Sequence, residues 1–326
     1  MGSMTLPRLN RREVLVGVGA AAVAAAVPEA FGRDSPTGIN FLVVGDWGRD
    51  GANHQQEVAT QMGSAAHRLG ASCVVSVGDN FYENGVQTIS DPQWRTSFED
   101  VYSAPALQIP WYSALGNHDY RGVPQAQIDY TRTSNRWRMP SRYYKLSGDS
   151  LGAPHADLFV IDTSPLVHQY RDNVHSVIAE NVASQDTAAQ LRWLDEELGA
   201  STAPWKLVIG HHTLHSGGSA HGDTPEVVTL IEPLLRKHQV QAYINGHDHD
   251  LQHIRRGGID YVCCGAGSEV RPVVATEGTL FCAARSGFAA MSSSPDSLSF
   301  EFLDFSGTQL YRAQIPRAGA RRRAAA

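Results

Sequence analysis

The sequence is poor in the features that mark membrane, fibrous or disulfide-built proteins. No apolar run reaches the roughly 18 to 20 residues that a membrane-spanning helix needs, so no stable membrane insertion is expected. Only four cysteines occur in 326 residues, Cys73, Cys263, Cys264 and Cys282. None stands in a Cys-x-x-Cys pair, and they read as small buried hydrophobes before disulfides or metal ligands. Positive charge is not in excess: the formal net charge is −6, with 18% charged residues. An acidic body gives no electrostatic footprint for nucleic acid. No internal repeat or long linker interrupts residues 36–316, which are expected to form a single domain. The 42% hydrophobic content can bury a substantial core, which excludes a disordered or collagen-like chain.

Both ends stand apart from this body. Arg11-Arg12 precede an Ala/Val/Gly stretch from Val14 to Val27 that is too short to cross a bilayer comfortably, so residues 1–30 read as an export signal peptide. Asn10-Arg11-Arg12-Glu13-Val14-Leu15 resembles a twin-arginine signal, with Asn10 and Val14 where Ser or Thr and Phe are usual. A general secretory signal is the alternative. Such a signal implies export machinery as a partner, a periplasmic, cell-envelope or extracellular location, and a bacterial source. The run Arg321-Arg322-Arg323 lies in an Ala/Gly tail, residues 317–326, that is expected to be solvated and disordered.

Short apolar runs punctuated by Gly- or Asn-containing polar clusters occupy the body. They predict buried strands at 39–45, 72–77, 111–115, 157–162, 205–210, 241–245 and 259–264. Helical periodicity lies between them at 53–69, 91–101, 187–199 and 224–238. Beyond Gly287 the pattern alternates: 297–305, a turn at Ser306-Gly307, then 308–315, the signature of a hairpin. The mixture predicts an α/β fold, a sandwich whose sheets are finished by antiparallel strands. Residues 163–185, polar and poor in helical pattern, are expected to form a loop that covers the site and controls substrate choice.

The polar clusters carry the chemistry. They are Gly45-Asp46-Trp47-Gly48, Gly78-Asp79-Asn80-Phe81-Tyr82, Gly116-Asn117-His118-Asp119, Val208-Ile209-Gly210-His211 and Gly246-His247-Asp248-His249. Each sets an Asp, Asn, His or Tyr just after an apolar strand, where glycine permits a tight turn into a shared mouth. Eight of the 14 histidines fall between His211 and His253, a clustering that favours metal binding. Carboxylate oxygen and neutral imidazole suit hard and borderline cations, and a carboxylate can bridge two of them. Tyrosine titrates near 10 in water, so a permanently bound phenolate calls for a strongly acidic cation, with ferric iron fitting better than zinc or magnesium. Two metals roughly 3.5–4 Å apart clamp the attacking and leaving oxygens in phosphoryl displacement.

These five clusters, in this order, resemble the metallophosphoesterase superfamily, and the version with Tyr82 resembles its purple acid phosphatases, most of all the small, tartrate-resistant mammalian type. The resemblance runs from about residue 39 to 270 and implies a β-sandwich of two mixed sheets flanked by helices. It implies Asp46, Tyr82 and His249 on Fe(III), Asn117, His211 and His247 on a divalent metal (Fe, Zn or Mn), and Asp79 as the bridge. His118 and His221 match histidines that hold the phosphate and help the leaving oxygen depart. The activity implied is acid phosphatase chemistry, the attack of a metal-bound hydroxide on a small phosphate monoester. The chain departs from the family pattern at His212, where an aromatic residue is common, and at Ser216-Gly217-Gly218-Ser219, which adds one residue before His221. His215 is therefore a competitor for the second substrate-side position. Asp119 is expected to orient the His118 ring. Loops decide substrates in this frame, so a phosphodiesterase or phospholipase-like enzyme is the alternative. A non-catalytic metal- or phosphate-binding protein is a further one.

Overall fold

Strands of β-branched, aliphatic and aromatic residues build the framework. The computed structural model describes residues 38–172, 175–315 and 317, so the expected export signal and nearly all of the basic tail lie outside the described residues. The first sheet contains β1 (Ile39–Val44), β2 (Cys73–Ser76), β3 (Trp111–Ser113), β4 (Trp137–Arg138), and, from the end of the chain, β12 (Gly287–Ser293), β13 (Leu298–Asp304) and β14 (Gln309–Ile315). Its order is β14-β13-β12-β1-β2-β3-β4. The second sheet contains β5 (Tyr144–Leu146), β6 (Ala156–Val160), β7 (Trp205–Ile209), β8 (Ala242–Asn245), β9 (Leu251–Arg256), β10 (Ile259–Cys264) and β11 (Thr279–Ala283), in the order β11-β9-β10-β8-β7-β6-β5. Both sheets are mixed. Strands β1 to β4 run parallel, as do β6, β7, β8 and β10, and antiparallel strands finish each sheet.

The two-residue period of a strand divides the core. Leu158, Val160, Leu207, Ile209, Ala242 and Ile244 join the first-sheet residues Phe41, Val75, Ala289 and Phe300 in one apolar cluster. Their alternates Phe159, Val208 and Tyr243 pack with Leu194, Leu198, Val227, Ile231 and Leu235 in a second cluster. The latter residues come from α5 (Thr187–Ala200) and α6 (Pro225–Lys237). On the first sheet, α1 (Gln55–Leu69) contributes Val58, Met62, Ala65 and Ala66. The layers are thus helix, sheet, sheet, helix, the sandwich that the pattern of strands and helices predicts. All four cysteines are free, and Cys73, Cys263 and Cys264 are buried in strands. Among the described residues no helix is long and apolar enough to cross a membrane.

Two expectations need correction. The helix expected at 91–101 is a π-helical turn over Trp94–Glu99. The wider turn serves packing: Trp94 and Phe98 both face an aromatic cluster with Phe81, Trp111 and Trp137. The segment 163–185 is not a bare loop. It holds a 3-10 turn at Ser164–Leu166, α3 (His168–Asp172) and α4 (Val177–Ala183). Helix α2 (Pro124–Tyr130) is likewise unannounced by the sequence pattern. Elements of five to seven residues are too short to show periodicity, and α4 is held by local polar contacts instead. The Ser176 hydroxyl accepts the Ala179 N–H as an N-cap, and Asn181 donates to the Tyr120 and Gly122 carbonyls at 2.8 and 2.9 Å.

Candidate metal centre

The parallel strands of both sheets deliver their carboxyl ends to one place, where α/β folds collect ligands. Asp46 follows β1, Asp79 follows β2, Asn117 and His118 follow β3, His211 follows β7, and His247 and His249 follow β8. Main-chain bonds knit these ends together: Asp46 N–H to Gly78 C=O at 3.0 Å, Gly45 N–H to Cys264 C=O at 2.9 Å, Gly246 N–H to His211 C=O at 3.1 Å. Asp46, Asp79 and His247 sit at φ of 59°, 50° and 72°. Such left-handed values cost a non-glycine residue about 1–3 kcal/mol and persist only where the surroundings enforce them. The glycines serve closeness as much as turning. A Cβ on Gly116 would lie 2.2 Å from Asp79 Oδ1, and one on Gly246 2.3 Å from Asp46 Oδ2.

The seven residues expected as ligands come together in two groups. In the first, Tyr82 Oη lies 3.0 Å from Asp46 Oδ1, from Asp79 Oδ2 and from His249 Nε2. In the second, His211 Nε2 lies 3.2 Å from Asn117 Oδ1 and 3.3 Å from His247 Nδ1. Asp79 touches both, since its Oδ2 is also 3.4 Å from His211 Nε2. Among the described residues, Asp46, Asp79 and His211 bring one ligand atom each within 4.8 Å of one another. His211 Nδ1 faces the Val77 carbonyl at 3.0 Å, which fixes the ring and turns Nε2 inward.

The donor set fits metal ions. One phenol hydrogen faces two buried carboxylates and a ring nitrogen, more acceptors than it can satisfy, and the buried His249 Nδ1 has no hydrogen-bond partner among the described residues. Burial, then the carboxylates of Asp46 and Asp79, hold the Tyr82 phenol well above its ordinary pKa. A phenolate there therefore requires a cation. Burial pulls His211 down, but Asp79 and Asp46 outweigh it and its pKa stands at about 9. Burial pushes the Asp79 carboxyl up, yet the charges of His211 and His118 and their hydrogen bonds draw it below the ordinary carboxylate value. A cation at the centre would take over the role of those protons.

The expected substrate-side histidines flank this cluster. His118 has its ring 4.3 Å from Tyr82 and its N–H bonded to Asp79 Oδ1 at 2.7 Å. Asp119 does not orient that ring. Its carboxylate turns inward to accept the N–H groups of Gly116 at 2.8 Å and Asn80 at 3.0 Å and the Gln127 side chain at 2.7 Å. It braces two ligand loops. The ring of His118 is held instead by Glu83, whose carbonyl lies 2.7 Å and carboxylate 3.7 Å from Nδ1. The His221 ring stacks on His247 at 4.0 Å. His215 faces elsewhere, toward Asp223, Glu232 and Arg256, so the geometry favours His221. His212 packs 4.3 Å from the His247 ring and bonds Thr163 at 2.8 Å and Tyr170 of α3 at 2.9 Å. It thereby ties the 163–185 segment to the centre.

Two contributors went unnoticed in the sequence. Arg49 lies 3.9 Å over the Tyr82 ring. Asp248, between two expected ligands, accepts from Ser216 Oγ and from the N–H groups of His221 and Gly222. Asp248 stands inside a motif and was available to notice; Arg49 became legible only through its position over Tyr82.

A sandwich of two mixed sheets with such a cluster at the meeting point of its parallel strands defines a metallophosphoesterase. A model of the calcineurin-like phosphoesterase family matches residues 39–251. Purple acid phosphatase 7 of Arabidopsis thaliana is 37% identical over 88% of this chain and 89% of its own length. Tartrate-resistant acid phosphatase type 5 of Oryctolagus cuniculus is 33% identical over 87% of this chain and 92% of its own. The solved purple acid phosphatase of yellow lupin seeds superposes with a TM-score of 0.65 at 14% identity, over 86% of this chain and 54% of that one, and supports the fold. The chain belongs to the purple acid phosphatases of the calcineurin-like phosphoesterase family, and it is a metal-dependent hydrolase of phosphate esters. These relatives are plant and mammalian and lend no support to a bacterial source.

Proposed function

We propose that the chain is an exported acid phosphatase that hydrolyses small phosphate monoesters at a centre of Fe(III) and a divalent metal, Fe, Zn or Mn. The observation that carries this reading is Tyr82 Oη set among Asp46, Asp79 and His249 at 3.0 Å. A phenol so placed binds as phenolate only to a strongly acidic cation. Asp46, Tyr82 and His249 would hold the ferric ion, Asn117, His211 and His247 the divalent one, and Asp79 both. When bound, the two ions acidify a water and offset the charge on the phosphate. The chain's own residues do the rest. His118, with Nδ1 donating to Glu83, keeps Nε2 for the leaving oxygen, and His221 stands across the mouth against His247.

The purified, oxidised, iron-loaded protein is expected to be violet or pink from phenolate-to-iron charge transfer, with two metals per chain by elemental analysis. Tyr82→Phe should remove the colour and keep the fold. A colourless wild type that carries iron would sink the ferric assignment. p-Nitrophenol release from p-nitrophenyl phosphate should far exceed that from its bis-ester, and the reverse would favour the phosphodiesterase alternative. Export is supported by the Arg11-Arg12 signal pattern. Replacing both arginines by lysine should leave the protein in the cytoplasm, and normal export of that variant would rule out the twin-arginine route.

A further inference from the structure

The segment that carries Arg271 is fixed to the centre at two points. Ser268 Oγ donates to the Asp46 carbonyl at 2.6 Å, and the Arg271 N–H donates to the His249 carbonyl at 2.8 Å. On the opposite side, the His221 and Gly222 N–H groups donate to the Asp248 carboxylate at 3.2 and 3.1 Å. The two segments are joined as well. Ser219 N–H donates to Pro272 C=O at 2.9 Å and Val274 N–H to Gly217 C=O at 3.0 Å. Glycine is needed for this approach: a Cβ on Gly217 would stand 1.8 Å from the Val274 oxygen, and one on Gly218 2.1 Å from the Asp248 carboxyl carbon. The Ser216-Gly217-Gly218-Ser219 departure is thus the seam that brings His221 to Arg271.

Across that seam Arg271 Nη1 lies 3.2 Å from His221 Nε2. A guanidinium can only donate, and His221 occupies one of its five N–H groups. The mouth's arginines differ in how their charge is balanced. Arg49 is paired with Glu83 at 2.8 Å and Glu269 at 3.2 Å, whereas among the described residues no carboxylate forms an ion pair with Arg271. It is half-buried, and its planar fork matches two phosphate oxygens.

We infer that Arg271 is a substrate-binding residue whose guanidinium holds non-reacting oxygens of the phosphate group beside His221. The role presupposes the phosphatase activity proposed above. Two anchors make it more than a mobile surface charge: its own N–H on His249 and its partner's loop on Asp248. The phosphate would supply the carboxylate-like partner that Arg271 does not have among the described residues.

The test compares Arg271→Gln and Arg271→Lys, in the wild-type and His221→Ala backgrounds, using p-nitrophenyl phosphate as substrate and inorganic phosphate as inhibitor. Arg271→Gln should raise both KM and the phosphate inhibition constant about 10- to 100-fold, the worth of a charge-assisted hydrogen bond, in both backgrounds and with unchanged metal content. Arg271→Lys should recover part of that loss. If Arg271→Gln costs nothing once His221 is alanine, Arg271 acts only through His221 and the inference fails. It also fails if kcat falls while KM and phosphate inhibition stay fixed. A wild type that releases no phosphate from the ester would overturn the phosphatase reading instead. Equilibrium dialysis of labelled phosphate against the same variants would then still decide the role of Arg271.

Discussion

Asp79→Asn is expected to give a folded chain that retains neither metal and has lost at least about 10³-fold in turnover, since it loses the group shared by both ions. Asp79 Oδ2 is 3.0 Å from Tyr82 Oη and 3.4 Å from His211 Nε2, so one carboxylate serves both halves of the centre. Two cations so close repel each other strongly where water is scarce, and the charge between them offsets that repulsion. Asparagine keeps the shape and loses the charge. The metal-free fold should lose some stability near neutral pH, because the Asp79 carboxylate is the main partner of the buried His211 ring. Elemental analysis after dialysis against a chelator, with thermal unfolding of the metal-free forms, checks both halves. Two metals per chain in Asp79→Asn, with near-normal turnover, would show that the shared ligand is another residue.

His118→Ala is expected to lower turnover of an alkyl phosphate about 10²- to 10³-fold and leave metal content unchanged. With Nδ1 committed to the Glu83 carbonyl at 2.7 Å, the proton for the leaving alkoxide must come from Nε2. The loss should shrink for p-nitrophenyl phosphate, whose leaving group departs without a proton. Equal losses on both substrates would reduce His118 to a phosphate-binding residue. The pH profile carries the same information. Burial lowers the His118 pKa below its ordinary value, and Asp79 offsets this only in part. Cations at the centre would lower it further. The protonated ring is complete only below that value, so activity that needs it declines as pH rises through a point under neutrality. The variant should lose this alkaline limb.

The strands and the candidate ligands were legible because both lie in local signals. Runs such as Phe41-Leu42-Val43-Val44 admit few readings, and a polar cluster after each one marks the same edge of the sheet. What local signals cannot carry is direction. His118 and Asp119 are neighbours in sequence, yet one ring faces the mouth and the other side chain faces the Asn80 and Gln127 amides. His215 and His221 differ little as residues, and only the pairing of Gly217 with Val274 shows which loop turns inward. Arg271 follows no motif residue closely enough to be singled out, although its backbone is bonded to His249. Helices α3 and α4 escaped for a different reason: short helices held by a cap and by bonds to another loop leave no repeat to detect.

The centre draws on loops that are far apart in the chain: the His247 N–H meets Asp46 Oδ2 across 201 residues, at 3.1 Å. Contacts of such separation close late, after the cost of ordering everything between them has been met. No half of the sandwich holds both ligand groups, so a cation cannot template the assembly. It selects the finished product and adds its binding free energy to that state alone. The left-handed bends at Asp46, Asp79 and His247 are fixed by the main-chain bonds that knit the strand ends together. Metal supply would then set how much of the folded population is active rather than how much of the chain folds.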